Sequence, residues 1–243
     1  MLPIKDQQVP EAKNQRPTVN VDLQWIREML VELSGAGAHI NNDQNHLGMY
    51  TDMTLPGLDD MKHTHNTVER LDVLGVPRDL SGYGVLDLGS NLGAMSFEAK
   101  LRGAKLVTGA EYREDRVALC NVIARFYNLT DIKFVEADFS HGREMTTGLV
   151  HTAPPEGPWR FTHDIVLCCC VDEYVVERLE FYEMLYEISG SMLYLESNVR
   201  RGQSDRCTQL LLNAAGFRHV TSLGDYKSQN KNNTFTRMYR CAP

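Results

Sequence analysis

The sequence predicts an α/β protein: a doubly wound, mostly parallel sheet, closed by an antiparallel C-terminal hairpin and preceded by a helical N-terminal cap. Three observations carry this expectation. From residue 84 onward, short apolar runs alternate with helix-length segments in the rhythm of βαβ units. Residues 85–93, VLDLGSNLG, read as a buried strand running into a tight glycine turn that opens a helix. The chain closes with two strand-like runs, 217–223 and 234–241, joined by the polar loop 224–233.

Taken in order, residues 1–20 are rich in Pro, Gln, Asn and charge and read as a tail with little to bury. Val21, Leu23, Ile26, Met29, Leu30 and Leu33 then recur near helical spacing over 21–35, with Asp22 favouring the start and Gly35 the stop. The polar stretch 35–65, with Asn41, Asn42, Asn45, His46, Tyr50 and the Pro56-Gly57 turn, reads as a long functional loop. A short helix over 66–75 completes an N-terminal cap, 21–79, and the catalytic domain is expected over 80–243. Within it the expected elements are helix 92–102, strand 106–111, helix 114–127 and strand 132–137. A loop over 139–160 follows, then strand 164–171, helix 174–189, strand 191–196 and helix 203–215, stopped by Gly216.

The glycine turn carries the chemistry. Asp87 precedes Gly89, where the first strand should end, and the spacing is D-x-G-x-x-x-G. A dinucleotide turn offers its phosphates glycine backbone and a helix N-terminus, usually as G-x-G-x-x-G, and a carboxylate at this place repels a pyrophosphate. A cofactor carrying an ammonium group and no phosphate is attracted instead. S-adenosylmethionine carries an ammonium and a sulfonium.

On these residues the chain, over roughly 80–240, resembles the class I S-adenosylmethionine-dependent methyltransferases, with their Rossmann-like sheet. The resemblance implies a site built from Asp87, Gly89, Ser90, Asn91 and Gly93. It also implies that Glu111, closing the strand Leu106-Val-Thr-Gly-Ala-Glu111 roughly 20 residues past the glycines, accepts from both ribose hydroxyls, with Tyr112 beside it. Asp138, at the end of the third strand, takes the place that receives the adenine amine, with Phe139 close to the ring, and Cys170 lies at the carboxyl end of the fourth strand. In this fold the acceptor meets the methyl group beside that fourth strand, so the turn 171–174 is the expected acceptor side. Asp172, Glu173, Tyr174 and His141 are candidates for a general base, and Glu196 and Asn198 lie at the next strand end, where they could orient a substrate. Asp172 or Glu173 could equally cap the following helix.

The net charge of −7 argues against nucleic acid as an obligatory partner, and 42% hydrophobic content supports a sizeable core. Arg200, Arg201, Arg206, Arg218, Lys227, Lys231, Arg237 and Arg240 leave the C-terminal part locally basic. No segment has the length and apolarity of a membrane span or a secretory signal, so a cytoplasmic protein without a membrane partner is expected. The six cysteines form neither a metal-ligand spacing nor a disulfide framework, and Cys168, Cys169 and Cys170 are expected to be small buried hydrophobes. His63 and His65, with His46 and Asp59-Asp60 nearby, lack a further ligand at diagnostic spacing, so no metal is expected. A small-molecule acceptor attacked at oxygen, nitrogen or carbon is the main expectation. Residues 48–103, with LDLGSNLGAMSFEAKLRGA, are also similar to a group that includes tRNA wobble-uridine modifying methyltransferases, which implies tRNA as the alternative acceptor. A cofactor-binding or regulatory subunit without turnover is the third reading. Oligomeric state is not legible in the sequence.

Overall fold

The computed structural model describes residues 21–35, 49–139, 163–198, 205–227 and 235–243. The extension supplies helix α1 (Leu23–Gly35), strands β1 (Met49–Thr51) and β2 (His63–His65), and helix α2 (Thr67–Leu74). Helix α1 starts where Asp22 accepts a hydrogen bond from the Trp25 amide at 2.8 Å, and α2 starts where Asn66 accepts from Glu69 N–H. Gly75, at φ +75°, ends α2 in the left-handed conformation that glycine adopts without penalty. Strands β1 and β2 pair in parallel as a small sheet of their own. Here the expected loop over 35–65 is corrected: three-residue strands, one of them His-Thr-His, carry no apolar alternation for a sequence reading to detect.

The main sheet contains β3 (Gly84–Leu88), β4 (Leu106–Glu111), β5 (Ile132–Glu136), β6 (His163–Cys169), β7 (Ser189–Asn198), β8 (His219–Lys227) and β9 (Phe235–Ala242). Helices α3 (Ala94–Leu101), α4 (Glu114–Phe126), α5 (Arg178–Ile188) and α6 (Asp205–Ala214) connect or flank them. The order across the sheet is β5-β4-β3-β6-β7-β9-β8, parallel except for β9, which runs against both neighbours. Strand order reverses between β3 and β6, so the crevice at their carboxyl ends is the topological switch point.

Alternation along the strands sorts side chains into layers. Leu86 and Leu88 of β3, Val166 and Cys168 of β6, and Leu193 and Leu195 of β7 pack with Phe181, Tyr182 and Leu185 of α5 and Leu212 of α6. Val85, Ile165, Leu167 and Tyr194 face the other way, onto Leu71 and Leu74 of α2 and Met95 and Ala99 of α3. Helices α1 and α4 share a further apolar cluster in which Ile26, Leu30, Leu119 and Ile123 meet Leu92 and Phe97.

Several boundaries differ from expectation. Helix α5 begins at Arg178 rather than 174, because residues 171–177 form an irregular turn that buries Val175. Strand β8 continues through Gly224 to Lys227 across a bulge at Ser222/Gly224, so the loop joining the hairpin is shorter than 224–233. Cys170 lies outside β6 at φ +59°, so it does not share a strand face with Cys168. No described helix is long and apolar enough to cross a membrane.

Candidate active site

Three carboxylates lie at or just past the carboxyl ends of β3, β4 and β5. Asp87 is buried and accepts a hydrogen bond from Ser96 Oγ of α3 at 2.6 Å. Burial pushes its carboxyl up to about 6; the Ser96 hydroxyl and then Arg70 hold it down, while Glu111 pushes the same way as burial. Glu111, also buried, accepts from the Asn91 amide at 2.9 Å and the Arg113 amide at 3.2 Å, with Arg116 Nη1 at 3.7 Å. A carboxylate offers about four acceptor positions, so Glu111 retains capacity. Asp138 is half-buried past the end of β5, Phe139 is buried against the core, and Tyr112 is exposed.

Between these acids runs the glycine turn. Gly89, Asn91 and Gly93 all have positive φ, and Gly89 N–H and Ser90 N–H both donate to Ala110 O, fastening the turn to β4. The contacts give the two glycines a packing role. A Cβ on Gly89 would collide with Val171, and one on Gly93 would come within 2.9 Å of the Phe134 and Phe97 rings, so both glycines let the turn seat against its protein neighbours. What remains for a ligand is polar. Ser90 Oγ and Asn91 Oδ1 are buried without a hydrogen-bond partner, as is Arg116 Nε beside Glu111.

The acceptor-side turn is held from several directions. Cys170 N–H donates to Glu196 O at 2.7 Å, and Val171 abuts Gly89. Asp172 is fully buried: its Oδ2 accepts from Tyr182 OH and from Ser197 Oγ, and its Oδ1 has no partner. The cap reading for Asp172 and Glu173 therefore fails, because α5 starts after Glu177 and the Asp172 carboxylate is turned into the interior. Glu173 and Tyr174 are exposed. His141 lies outside the described residues. Burial pushes the Cys168, Cys169 and Cys170 thiols up, so none is primed as a thiolate nucleophile; Cys168 is buried as expected, whereas Cys169 and Cys170 are half-buried. Glu196, expected to orient substrate, instead accepts from Arg70 Nε at 3.1 Å and Nη2 at 2.5 Å, and from Thr236 Oγ1 at 2.6 Å. Asn198 closes β7 in register with Thr236. His63 Nδ1 lies 3.0 Å from Met61 O and His65 is buried; among the described residues no group of three His, Cys, Asp or Glu side chains is arranged to hold a metal ion.

No protein-family model and no curated protein sequence matches the chain. Solved structures do. The N-terminal domain of EvdMO1, determined with SAH and D-fucose, superposes with a TM-score of 0.56 at 15% identity, over 91% of this chain and 97% of that one. Against longer EvdMO1 the match spans 40% of that protein. Magnesium protoporphyrin IX methyltransferase (ChlM) from Synechocystis PCC 6803, with bound SAM, superposes with a TM-score of 0.54 at 17% identity, over 72% of this chain and 77% of that one. The fold is that of the class I S-adenosylmethionine-dependent methyltransferases. The [4+2]-cyclase SpnF shares it at a TM-score of 0.52 and 13% identity, over 73% of this chain and 79% of that one, so the fold alone does not dictate methyl transfer.

Within this methyltransferase fold, several residues that shape the site escaped the sequence reading. Ser96 sits in the first turn of α3, three residues past Gly93, where a hydroxyl facing back toward the strand end was a readable signal. Arg70 was legible too. Thr67, Arg70, Leu71 and Leu74 follow i, i+3, i+4, i+7 spacing, which places a guanidinium on the buried face of α2 and demands a buried acid opposite. Ser197 and Tyr182 gave no comparable signal, because a Ser at a strand end and a Tyr in a helix are ordinary in isolation.

Proposed function

We propose that the chain is an S-adenosylmethionine-dependent methyltransferase acting on an oxygen, nitrogen or carbon nucleophile of a small molecule. The observation that carries this reading is the strand-end set Asp87, Glu111 and Asp138 around a turn whose Ser90 Oγ and Asn91 Oδ1 are buried and unpartnered. These residues fit the cofactor. Asp87, ionised above about pH 6, attracts an ammonium group and repels the pyrophosphate of a dinucleotide. Glu111 keeps acceptor capacity for ribose hydroxyls, while Asp138 and Phe139 stand at the third strand end for the adenine. When bound, the cofactor supplies an electrophilic methyl group on a sulfonium for in-line displacement.

This chain's own residues then contribute position. In a displacement the largest protein contribution is holding the nucleophile at near-attack distance, which the fixed turn 170–174 is built to do. Glu173, exposed in that turn, is the group proposed to accept a proton from an acceptor, while burial and the adjacent Glu173 push the Tyr174 hydroxyl up and keep it a donor. A small acceptor is favoured over a folded RNA by the net charge of −7 and, among the described residues, by the pairing of Arg27, Arg78, Arg113 and Arg237 with Asp60, Asp72, Asp115 and Asp225.

Calorimetric titration with S-adenosylmethionine, with NAD, and with S-adenosylmethionine in the presence of bulk tRNA tests the reading. The expected result is binding of S-adenosylmethionine alone, with no response to NAD and no tightening by tRNA. Asp87→Ala and Glu111→Ala should each weaken binding by about 1.5–3 kcal/mol, roughly ten- to a hundredfold in Kd. Folded variants that bind like the parent would remove the pocket assignment, and tightening by tRNA would move the acceptor to RNA.

A further inference from the structure

The pair Arg70–Glu196 is 3% and 1% exposed, and it joins the N-terminal extension to the carboxyl end of β7. Glu196 Oε2 takes two donors from one guanidinium and Oε1 takes the Thr236 hydroxyl from β9. Arg70 Nη1 also lies 3.4 Å from Thr51 Oγ1 of β1, and the neighbouring Asp52 accepts from the Thr67 amide at the start of α2. The guanidinium is thus gripped by the extension on one side and the sheet on the other.

The end of β7 is also what holds the acceptor-side turn. Strand alternation sends consecutive side chains to opposite faces. Glu196 faces Arg70 in the α2 layer, and Ser197 faces the α5 layer, where it donates to Asp172. Between them the Glu196 carbonyl receives the amide of Cys170, a non-glycine residue held at φ +59°. Such a conformation is strained for a residue with a side chain and persists only where its surroundings over-determine it. A buried ion pair gives little net stability over well-packed apolar residues, so its use here is better explained by the geometry it fixes.

We infer that Arg70 and Glu196 are positioning residues: through the end of β7, the N-terminal extension sets the conformation of the turn 170–174. The inference rests on the proposed function for what that turn faces, and on the hydrogen bonds alone for how the turn is held. It makes the extension a working part of the acceptor site.

Hydrogen–deuterium exchange on the full chain, read at peptides covering 168–175, tests it. The double variant Arg70→Met/Glu196→Leu replaces the pair with apolar side chains. Its melting temperature should stay within a few degrees of the parent, while exchange in 168–175 rises at least tenfold. Arg27→Ala, which cuts a contact inside the extension, to Asp60 and Gly57 O, should leave that peptide protected. If the double variant fails to fold, Thr236→Val, which removes one hydroxyl from Oε1, must still raise exchange there. Unchanged protection in a stable double variant, or in Thr236→Val, overturns the inference, as does equal loosening by Arg27→Ala. A parent protein that fails to bind S-adenosylmethionine would sink the proposed function, while these comparisons without ligand would still decide the role of the pair.

Discussion

Asp87 sits in a place that is poor for an acid and good for a cation. Its folded value of about 6 stands above the 3.8 of a free carboxyl, so between those values the folded chain binds more protons than the unfolded one. Stability contributed by this group therefore falls as pH rises from about 4 to 6, by up to about 3 kcal/mol. Asp87→Asn keeps an acceptor for Ser96 and removes the charge. It should raise the melting temperature at pH 7.5, with the gain shrinking as pH is lowered toward 5. The same substitution should abolish the pH dependence of S-adenosylmethionine affinity, which in the parent rises through about pH 6 as the carboxyl ionises. Calorimetry in buffers of different ionisation enthalpy should then report proton release near pH 6 for the parent and none for the variant.

At the scale of the element, the turn 89–93 and the turn 170–174 are one assembly, because Gly89 leaves the space Val171 fills. Gly89→Ala adds a side chain at φ +71° and a collision with Val171. It should cost roughly 2–4 kcal/mol in urea denaturation. Adding Val171→Ala should recover part of that loss by removing the collision and leaving the backbone strain. The βαβ alternation, both helix starts in the extension and the acids at the strand ends were legible in the chain, since apolar period, cap residues and strand length are local signals. What joins those elements was not. Nothing near Asp172 announces that Tyr182 and Ser197 will turn it inward, and nothing near Met49-Tyr-Thr51 announces a strand, because both depend on partners brought by the fold.

For the whole molecule, two buried titrating groups at opposite ends of the sheet work against each other. His163, the first residue of β6, has Nε2 3.0 Å from Thr108 Oγ1. Burial, helped by Lys133 and opposed by Asp164, pushes its imidazole down to about 4. The unfolded histidine takes up its proton at about 6.5, so this group's contribution is lost as pH falls from about 6.5 to 4, by about 3 kcal/mol. Over pH 4–6 that slope opposes the one from Asp87. His163→Gln, which keeps a polar partner for Thr108, should therefore leave the Asp87 slope exposed, so that acidification from pH 6 toward 4 destabilises the variant less than the parent; chemical denaturation across that range measures it. Among the described ion pairs, that between Arg70 and Glu196 reaches furthest along the chain. Its partners are 126 positions apart, and the carboxylate belongs to a strand that follows four others of the main sheet, β3 to β6, in the chain. Arg70 therefore has no counter-charge until β7 is in place, whereas Asp72 on the same helix already finds Arg102 at the end of α3. Locking of that one guanidinium thus becomes a late event of folding, a seal set on an already docked extension when the β7 end is in place.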